Sequence, residues 1–148
     1  SVKAVSVLLS AKEAVVADAV ERLKQENFRL TGQLMALNKT LIQNKAASVA
    51  EGTANPIFFE DNLDADTSRE FVNLLSARCS GIACLFIGND ESGYRYIFGS
   101  KTEDTRPLCK ALNGQFGGKG GGKPEMVQGS LSGTQEELMG AVETFLRS

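Results

Sequence analysis

Apolar residues in the first third of the chain recur at alternating intervals of four and three residues. This heptad pattern predicts one long amphipathic helix over residues 10–50, and the capping box formed by Ser10 and Glu13 predicts its start. Leucine or valine occupies every d position through four heptads. The seam consists of Val20, Asn27, Leu34 and Leu41 at a, and of Val16, Leu23, Leu30 and Leu37 at d.

The seam predicts a partner helix, because an unpaired amphipathic helix leaves its apolar stripe in water. Asn27 supports pairing, since a polar residue at an a position costs stability but fixes register and strand number. A second stripe of Phe28, Met35 and Ile42 leaves another role open, in which the helix docks on the downstream domain or on a domain outside this chain. We expect a homodimer formed through Val20, Leu23, Asn27, Leu30, Leu34, Leu37 and Leu41.

The pattern changes at the breaker-rich segment Gly52–Pro56, which predicts a boundary between a helical arm (residues 1–51) and a second domain (residues 52–148). Short apolar runs then predict strands at 57–60, 82–87, 94–98 and 126–131. Helical periodicity and capping signals predict helices at 64–78, at 105–116 and from Thr134 to the end. Asp64 or Asp66 is expected to cap the first of these helices, and Thr134 and Glu137 form a capping box at the start of the last. We therefore predict an α/β fold, with a long N-terminal coiled-coil helix followed by a small mixed-sheet α/β sandwich of about four strands and three helices.

Charge is distributed unevenly along the chain. The 16 basic and 18 acidic residues give a formal charge of -2, which excludes a uniformly basic nucleic-acid binder but not a local basic face. Between Gly93 and Pro124, six basic residues stand against two acidic ones, and this excess favours a phosphate-bearing partner. The chain has no histidine, so imidazole bases and the triads built on them are excluded.

The cysteines indicate the compartment. Cys79, Cys84 and Cys109 are odd in number and lack the CxxC spacing, which predicts reduced, mostly buried thiols in a cytoplasmic protein. No apolar run approaches the ~18 residues of a membrane span, so we expect no membrane association. The residue types also predict no cofactor and no metal site, because neither histidine nor a paired cysteine motif is available.

The segment Gly117–Pro124 has the strongest chemical character in the chain. It spells G-x-x-x-x-G-K, yet Pro124 stands where a phosphate-binding P-loop needs Ser or Thr, and the segment follows a helix rather than a buried strand. We expect a flexible loop whose bare amide groups, together with Lys119 and Lys123, contact phosphate oxygens. A structural alternative is a tight crossover, in which the glycines let a helix and a strand pack closely.

Aromatic residues interleave with this basic stretch. Exposed rings could stack on unpaired bases, but alternation along a strand sends about half of them into the core, so at most one or two could be exposed. The rings in question are Tyr94, Tyr96, Phe98 and Phe116.

The sequence GGKGGGKPEMVQG at residues 117–129 closely resembles the GGxGGGRPxxAQGG signature of the DHH-associated C-terminal domain. That domain ends alanyl-tRNA synthetases and the long-form, freestanding alanyl-tRNA editing hydrolases. The resemblance covers the whole chain, since the upstream helix, the two hairpin strands and the arm occur in the same order. Lys123, Val127 and Ser130 are more similar to the freestanding editing proteins.

The resemblance implies a non-catalytic fragment of a larger tRNA enzyme, and the Ser at position 1 in place of Met fits a piece of a longer polypeptide. It implies binding to the elbow of tRNA, tRNA-Ala in particular, and dimerisation through the arm, while catalysis lies in upstream domains. The zinc ligands of the editing site are absent, because the chain has no histidine. The predicted nucleic-acid-binding residues are Gly118, Lys119, Gly120, Gly121, Gly122, Lys123, Arg106 and Lys110.

Two alternatives stay open. The glycine signature is related to the domain that accompanies DHH phosphoesterases, where it helps to hold a nucleotide or single-stranded substrate and often ends in GGGH. Lys123 and Pro124 depart from that ending. The second alternative is a purely structural oligomerisation module, for which the seam of the arm would be sufficient.

Overall fold

The computed structural model describes residues 2–147 of the chain, which divides into two compact units, residues 1–38 and residues 39–148. Helix α1 runs from Val2 to Ala47. The predicted start at Ser10 is wrong, because the helix continues upstream of it. The reason is local: no glycine or proline interrupts residues 2–10, so the S-x-x-E pattern at Ser10 and Glu13 falls inside a continuous helix.

The first unit is the N-terminal part of α1, and the apolar side chains of its seam are exposed to solvent. Between 44% and 67% of each apolar seam side chain at Val20, Leu23, Leu30, Leu34 and Leu37 is exposed. Asn27 is also exposed. An uncovered apolar seam of this length is typical of a helix that pairs with another helix, and the predicted dimer stays a prediction.

The second unit is built on one five-stranded sheet with the order β1-β2-β3-β5-β4. Strand β1 pairs parallel with β2, and the remaining neighbours are antiparallel. The strands are β1 (Ile57–Glu60), β2 (Ala83–Asn89), β3 (Gly93–Gly99), β4 (Lys119–Lys123) and β5 (Met126–Leu131). The helices are α2 (Ala65–Arg78), α3 (Arg106–Phe116) and α4 (Gln135–Arg147). The α/β prediction is confirmed, with β4 as an additional strand.

Helices cover both faces of the sheet. On one face, α3 and α4 pack on Tyr96, Phe98 and Val127, which are fully buried. On the other face, α2 packs on β2 and β3. Two residues near the end of α1, Ile42 and Ala46, join this second core. Of the second stripe, for which docking on the downstream domain was one open possibility, Ile42 packs in this way, whereas Met35 and Phe28 are exposed.

Side chains at the predicted capping positions begin two of the helices. Asp64 caps α2, since its carboxylate accepts a hydrogen bond from the Thr67 amide at 3.1 Å. Before α4, the Thr134 hydroxyl accepts from the Glu137 amide at 3.2 Å and donates to the Glu137 carboxylate at 2.9 Å. Asp64 rather than Asp66 is thus the cap of α2, and Thr134 is confirmed as the cap of α4. Among residues 2–147, no helix is long and apolar enough to cross a membrane.

Candidate nucleic-acid interface

The glycine-rich segment is an edge strand rather than the flexible loop that its composition predicts. Strand β4 pairs in antiparallel register with β5 through a turn at Pro124 and Glu125, and all five of its residues are exposed. The turn is held at both of its residues: the Ser100 amide donates to the Glu125 carbonyl at 3.0 Å, and the Thr105 amide donates to the Pro124 carbonyl at 2.8 Å. Tertiary pairing therefore overrides the low strand propensity of glycine.

Close packing explains two of the glycines. Gly120 and Gly129 are register partners across β4 and β5. A Cβ atom on Gly120 would lie 2.5 Å from the Gly129 Cα and 2.6 Å from the Tyr96 hydroxyl, and one on Gly129 would lie 2.2 Å from the Lys119 carbonyl oxygen. The tight-packing alternative thus accounts for this pair. It does not account for Gly121, because no atom lies within 4 Å of a Cβ built there.

The strand register collects polar and basic residues on one face of the sheet. Arg95 of β3 is aligned with Ser130 of β5, which is aligned with Lys119 of β4. Two residues along, Gln128 is aligned with Gly121, and after two more residues Met126 is aligned with Lys123. Since side chains alternate between the two faces, these residues share the face on which α2 packs farther along the sheet. We call the exposed set the basic shelf, namely Arg95, Lys119, Gly121, Lys123, Gln128 and Ser130.

A shallow depression of about 410 Å³ lies on this face between the shelf and α2. Arg95, Lys119, Gln128 and Ser130 line it from the sheet, and Arg69 lines it from the helix. The depression is therefore open to solvent and bounded by cationic and hydrogen-bonding side chains.

The cations of the shelf differ in how they are held. The Arg95 guanidinium donates to the Leu63 carbonyl at 2.7 Å, so its position is fixed. Neither Lys119 nor Lys123 forms an ion pair with any described residue, and both side chains are exposed to solvent. The shelf combines cationic and hydrogen-bonding side chains with no carboxylate, a composition that suits an anionic ligand.

The structure does not bring Arg106 and Lys110 to the basic shelf. Both lie on α3, which packs on the opposite face of the sheet through Leu108 and Leu112. Arg106 also forms a two-point pair with Asp104, with Nε–Oδ1 and Nη2–Oδ2 distances of 2.9 and 2.7 Å. This pair lowers the pKa of Asp104 and raises that of Arg106, so the charge of Arg106 is already compensated.

The remaining predicted glycines, Gly118 and Gly122, are closely packed against neighbouring atoms. A Cβ on Gly118 would lie 2.6 Å from the Asn113 side-chain oxygen, and one on Gly122 would lie 2.5 Å from the Met126 carbonyl oxygen. Arg95, Gln128 and Ser130, which complete the shelf, were not predicted. Alternation places each of them on an outward face, but only the order of β3, β5 and β4 shows that they are neighbours.

Three of the four aromatic rings of the basic stretch are buried and are not available for stacking on bases. Tyr94, Tyr96 and Phe98 are buried, and Phe116 is half-buried against the same core. The rings of Tyr96 and Phe98 instead stack on each other with centroids 4.7 Å apart. Burial raises the pKa of the Tyr96 hydroxyl, and burial together with the Asp90 carboxylate raises the pKa of Tyr94 to about 12. Of these four rings, only that of Phe116 is partly exposed, which lies within the limit of one or two that strand alternation allows.

The thiols are free, as predicted from their number and spacing. Cys84 and Cys109 are buried, and Cys79 is partly buried. Burial raises the pKa of both Cys79 and Cys84, which keeps these two residues in the unreactive thiol form at neutral pH.

Comparison with known proteins places the chain in a family. No curated protein sequence matches it. Among solved structures, the C-Ala domain of alanyl-tRNA synthetase from Aquifex aeolicus is similar at 17% identity and a TM-score of 0.47, over 66% of this chain and 92% of that one. The family model described as the DHHA1 domain matches residues 43–148, which is well over half of the chain. The chain therefore belongs to the DHHA1 domain family, as the glycine-rich signature predicted.

Proposed function

We propose that this chain is a non-catalytic module that binds the elbow of tRNA, tRNA-Ala in particular, and dimerises through α1. The glycine-rich signature suggests an alanyl-tRNA synthetase or a freestanding alanyl-tRNA editing protein as its parent. The observation that carries the proposal is the basic shelf, where Lys119 and Lys123 flank the uncovered Gly121 on an edge strand.

Strand geometry suits the shelf to a phosphate backbone. Lys119 and Lys123 are four residues apart on one strand, which separates their Cα atoms by about 13 Å at the usual rise. This span is long enough to contact more than one phosphate along an RNA strand. Gly121 lies between them and has no side chain, so a phosphate group can approach the main chain there. The outer edge of β4 adds amide groups that pair with no strand of the described part of the chain.

The burial of the aromatic rings favours a folded RNA as the ligand. Readers of single-stranded RNA stack unpaired bases on exposed rings, whereas structured RNA is recognised by its shape and its backbone. Because Tyr94, Tyr96 and Phe98 lie in the core, the shelf offers hydrogen bonds and positive charge only. Such a surface suits the folded outer corner of a tRNA better than a single strand.

Dimerisation through α1 is the second part of the proposal. The seam residues Leu23, Leu30 and Leu34 are exposed in the described chain, and burying them against a second copy would remove a long apolar stripe from water. Two shelves in one dimer would also raise the effective concentration of binding sites for one large RNA. The free thiols support a cytoplasmic location, where translation takes place.

A binding comparison tests the RNA part of the proposal. The chain is titrated at one fixed salt concentration with a folded tRNA-Ala transcript, with an oligouridine of equal length and, by calorimetry, with adenosine monophosphate. We expect the tightest binding for the tRNA, weaker binding for the oligouridine and no heat with the mononucleotide. Equal affinity for both RNAs would contradict shape recognition. Mononucleotide binding would instead favour the substrate-holding half of a DHH phosphoesterase.

A further inference from the structure

Strand β4 has few side-chain contacts to keep it in place. Three of its five residues are glycine, and its two lysines extend into solvent. Glycine loses more conformational freedom on ordering than any other residue, and an edge strand has a neighbour on one side only. Contacts from the face covered by α3 are therefore important for keeping β4 ordered.

A buried polar cluster supplies such contacts. The Tyr96 side chain is fully buried, and its hydroxyl donates a 2.8 Å hydrogen bond to the Asn113 side-chain oxygen. The Asn113 side-chain amide donates to the Gly120 carbonyl at 3.4 Å. The Asn113 main-chain carbonyl accepts a hydrogen bond from the Gly118 amide at 2.9 Å. The Sγ atom of Cys109 lies 3.2 Å from the Tyr96 hydroxyl. One residue of α3 thus bonds both Gly118 and Gly120.

We infer that Tyr96 and Asn113 are positioning residues for RNA binding, which hold the glycine strand in its binding conformation without contacting the ligand. This inference rests on the proposed function. A strand that is ordered before binding loses less conformational entropy when a phosphate backbone docks on it. Loosening the cluster therefore weakens binding even though every charge of the shelf remains.

The test compares two single-atom changes on the same strand. Tyr96→Phe removes the hydroxyl beneath the glycine pair and keeps the ring in the core. Tyr94→Phe is the matched control, because Tyr94 also lies on β3 but its hydroxyl donates to Asp90, away from the glycine pair. Amide hydrogen exchange of residues 118–122, tRNA affinity and the salt dependence of that affinity are measured for both variants and for the unmodified chain.

We expect Tyr96→Phe to speed exchange of the β4 amides by about tenfold or more relative to Tyr94→Phe, because local opening becomes easier. We also expect tRNA affinity to fall by about three- to tenfold with an unchanged salt slope, since the slope counts phosphate contacts and none is lost. Unchanged β4 exchange, or an affinity loss equal to that of the control, would overturn the inference.

A second variant covers a possible folding defect. Asn113 is only partly buried, and Asn113→Ala removes the side-chain amide that links the Tyr96 hydroxyl to the Gly120 carbonyl, without altering a core ring. It is expected to speed β4 exchange in the same way. A chain that binds no tRNA in any form would overturn the proposed function, while the exchange data would still decide whether the cluster fixes β4.

Discussion

Gly120 and Gly129 are register partners across β4 and β5, and the hydroxyl of a buried tyrosine lies under both of them. A Cβ atom on either glycine would lie within 2.6 Å of the Tyr96 hydroxyl and within 2.7 Å of the Cα atom of the opposite glycine. Glycines of the signature at residues 117–129 therefore have different roles. Gly120 and Gly129 allow the two strands and Tyr96 to pack closely, whereas Gly121 faces open space.

This difference predicts opposite effects of alanine at adjacent positions. Gly120→Ala places a methyl group against backbone atoms that cannot move independently, so we expect a loss of about 1–3 kcal/mol of unfolding free energy. Gly121→Ala meets no atom and restricts the unfolded chain, so we expect no loss or a gain of about 0.5 kcal/mol. Chemical denaturation of both variants measures the two values. Equal destabilisation would show that Gly121 is also packed.

The same Gly121→Ala variant separates fold from binding. Because the fold tolerates the methyl group, any loss of tRNA affinity must come from contact with the ligand. We expect affinity to fall severalfold in a filter-binding or anisotropy titration. Unchanged affinity with intact stability would mean that the RNA does not approach the main chain at this point of the basic shelf.

The α2 cap predicts a pH-dependent contribution to stability. Hydrogen bonds from Thr67 lower the pKa of Asp64, so the folded state favours the carboxylate. The stabilisation is therefore complete above the ordinary pKa of 3.8 and is lost as pH falls through the lower value of the folded state. We expect Asp64→Ala to cost about 1 kcal/mol at pH 7. Unfolding free energies of the two proteins should converge below pH 3.8, and a constant difference would contradict the assignment.

The seam of α1 predicts a change of mass on mutation. We expect Leu30→Ala with Leu34→Ala to lower the mass in sedimentation equilibrium from that of a dimer to that of a monomer, because the apolar seam is interrupted. Phe28→Ala with Met35→Ala is the matched control, since these side chains are also exposed but lie outside the seam. An unchanged mass of the first variant, or an equal change in the control, would refute pairing through the seam.

Much of the fold could be predicted because local patterns agree with the final structure. The runs at 57–60 and 126–131 match β1 and β5, and the caps at Asp64 and Thr134 mark real helix starts. Strand β4 could not be predicted, because three consecutive glycines are typical of a turn. The strand depends on pairing with β5 and on packing against Tyr96, which is distant in the sequence.

The candidate site was predictable only in part for a related reason. Lys119 and Lys123 stand out in the sequence because they interrupt a glycine run. Arg95 lies 24 residues before Lys119 and becomes its near neighbour only through the intervening β5. Such a relation depends on the order of the strands, which no local pattern encodes.

The most direct test of the proposed function compares two pairs of lysines in tRNA titrations across a range of salt concentrations. Lys119→Ala with Lys123→Ala removes two charges from the basic shelf. Lys101→Ala with Lys110→Ala removes two exposed charges from elsewhere in the same basic stretch. We predict that the first pair lowers affinity by about ten- to a hundredfold and reduces the salt slope by about 1 to 2, while the second pair changes little. Equal effects of the two pairs, or a slope that the shelf variant leaves unchanged, would contradict RNA binding at the shelf.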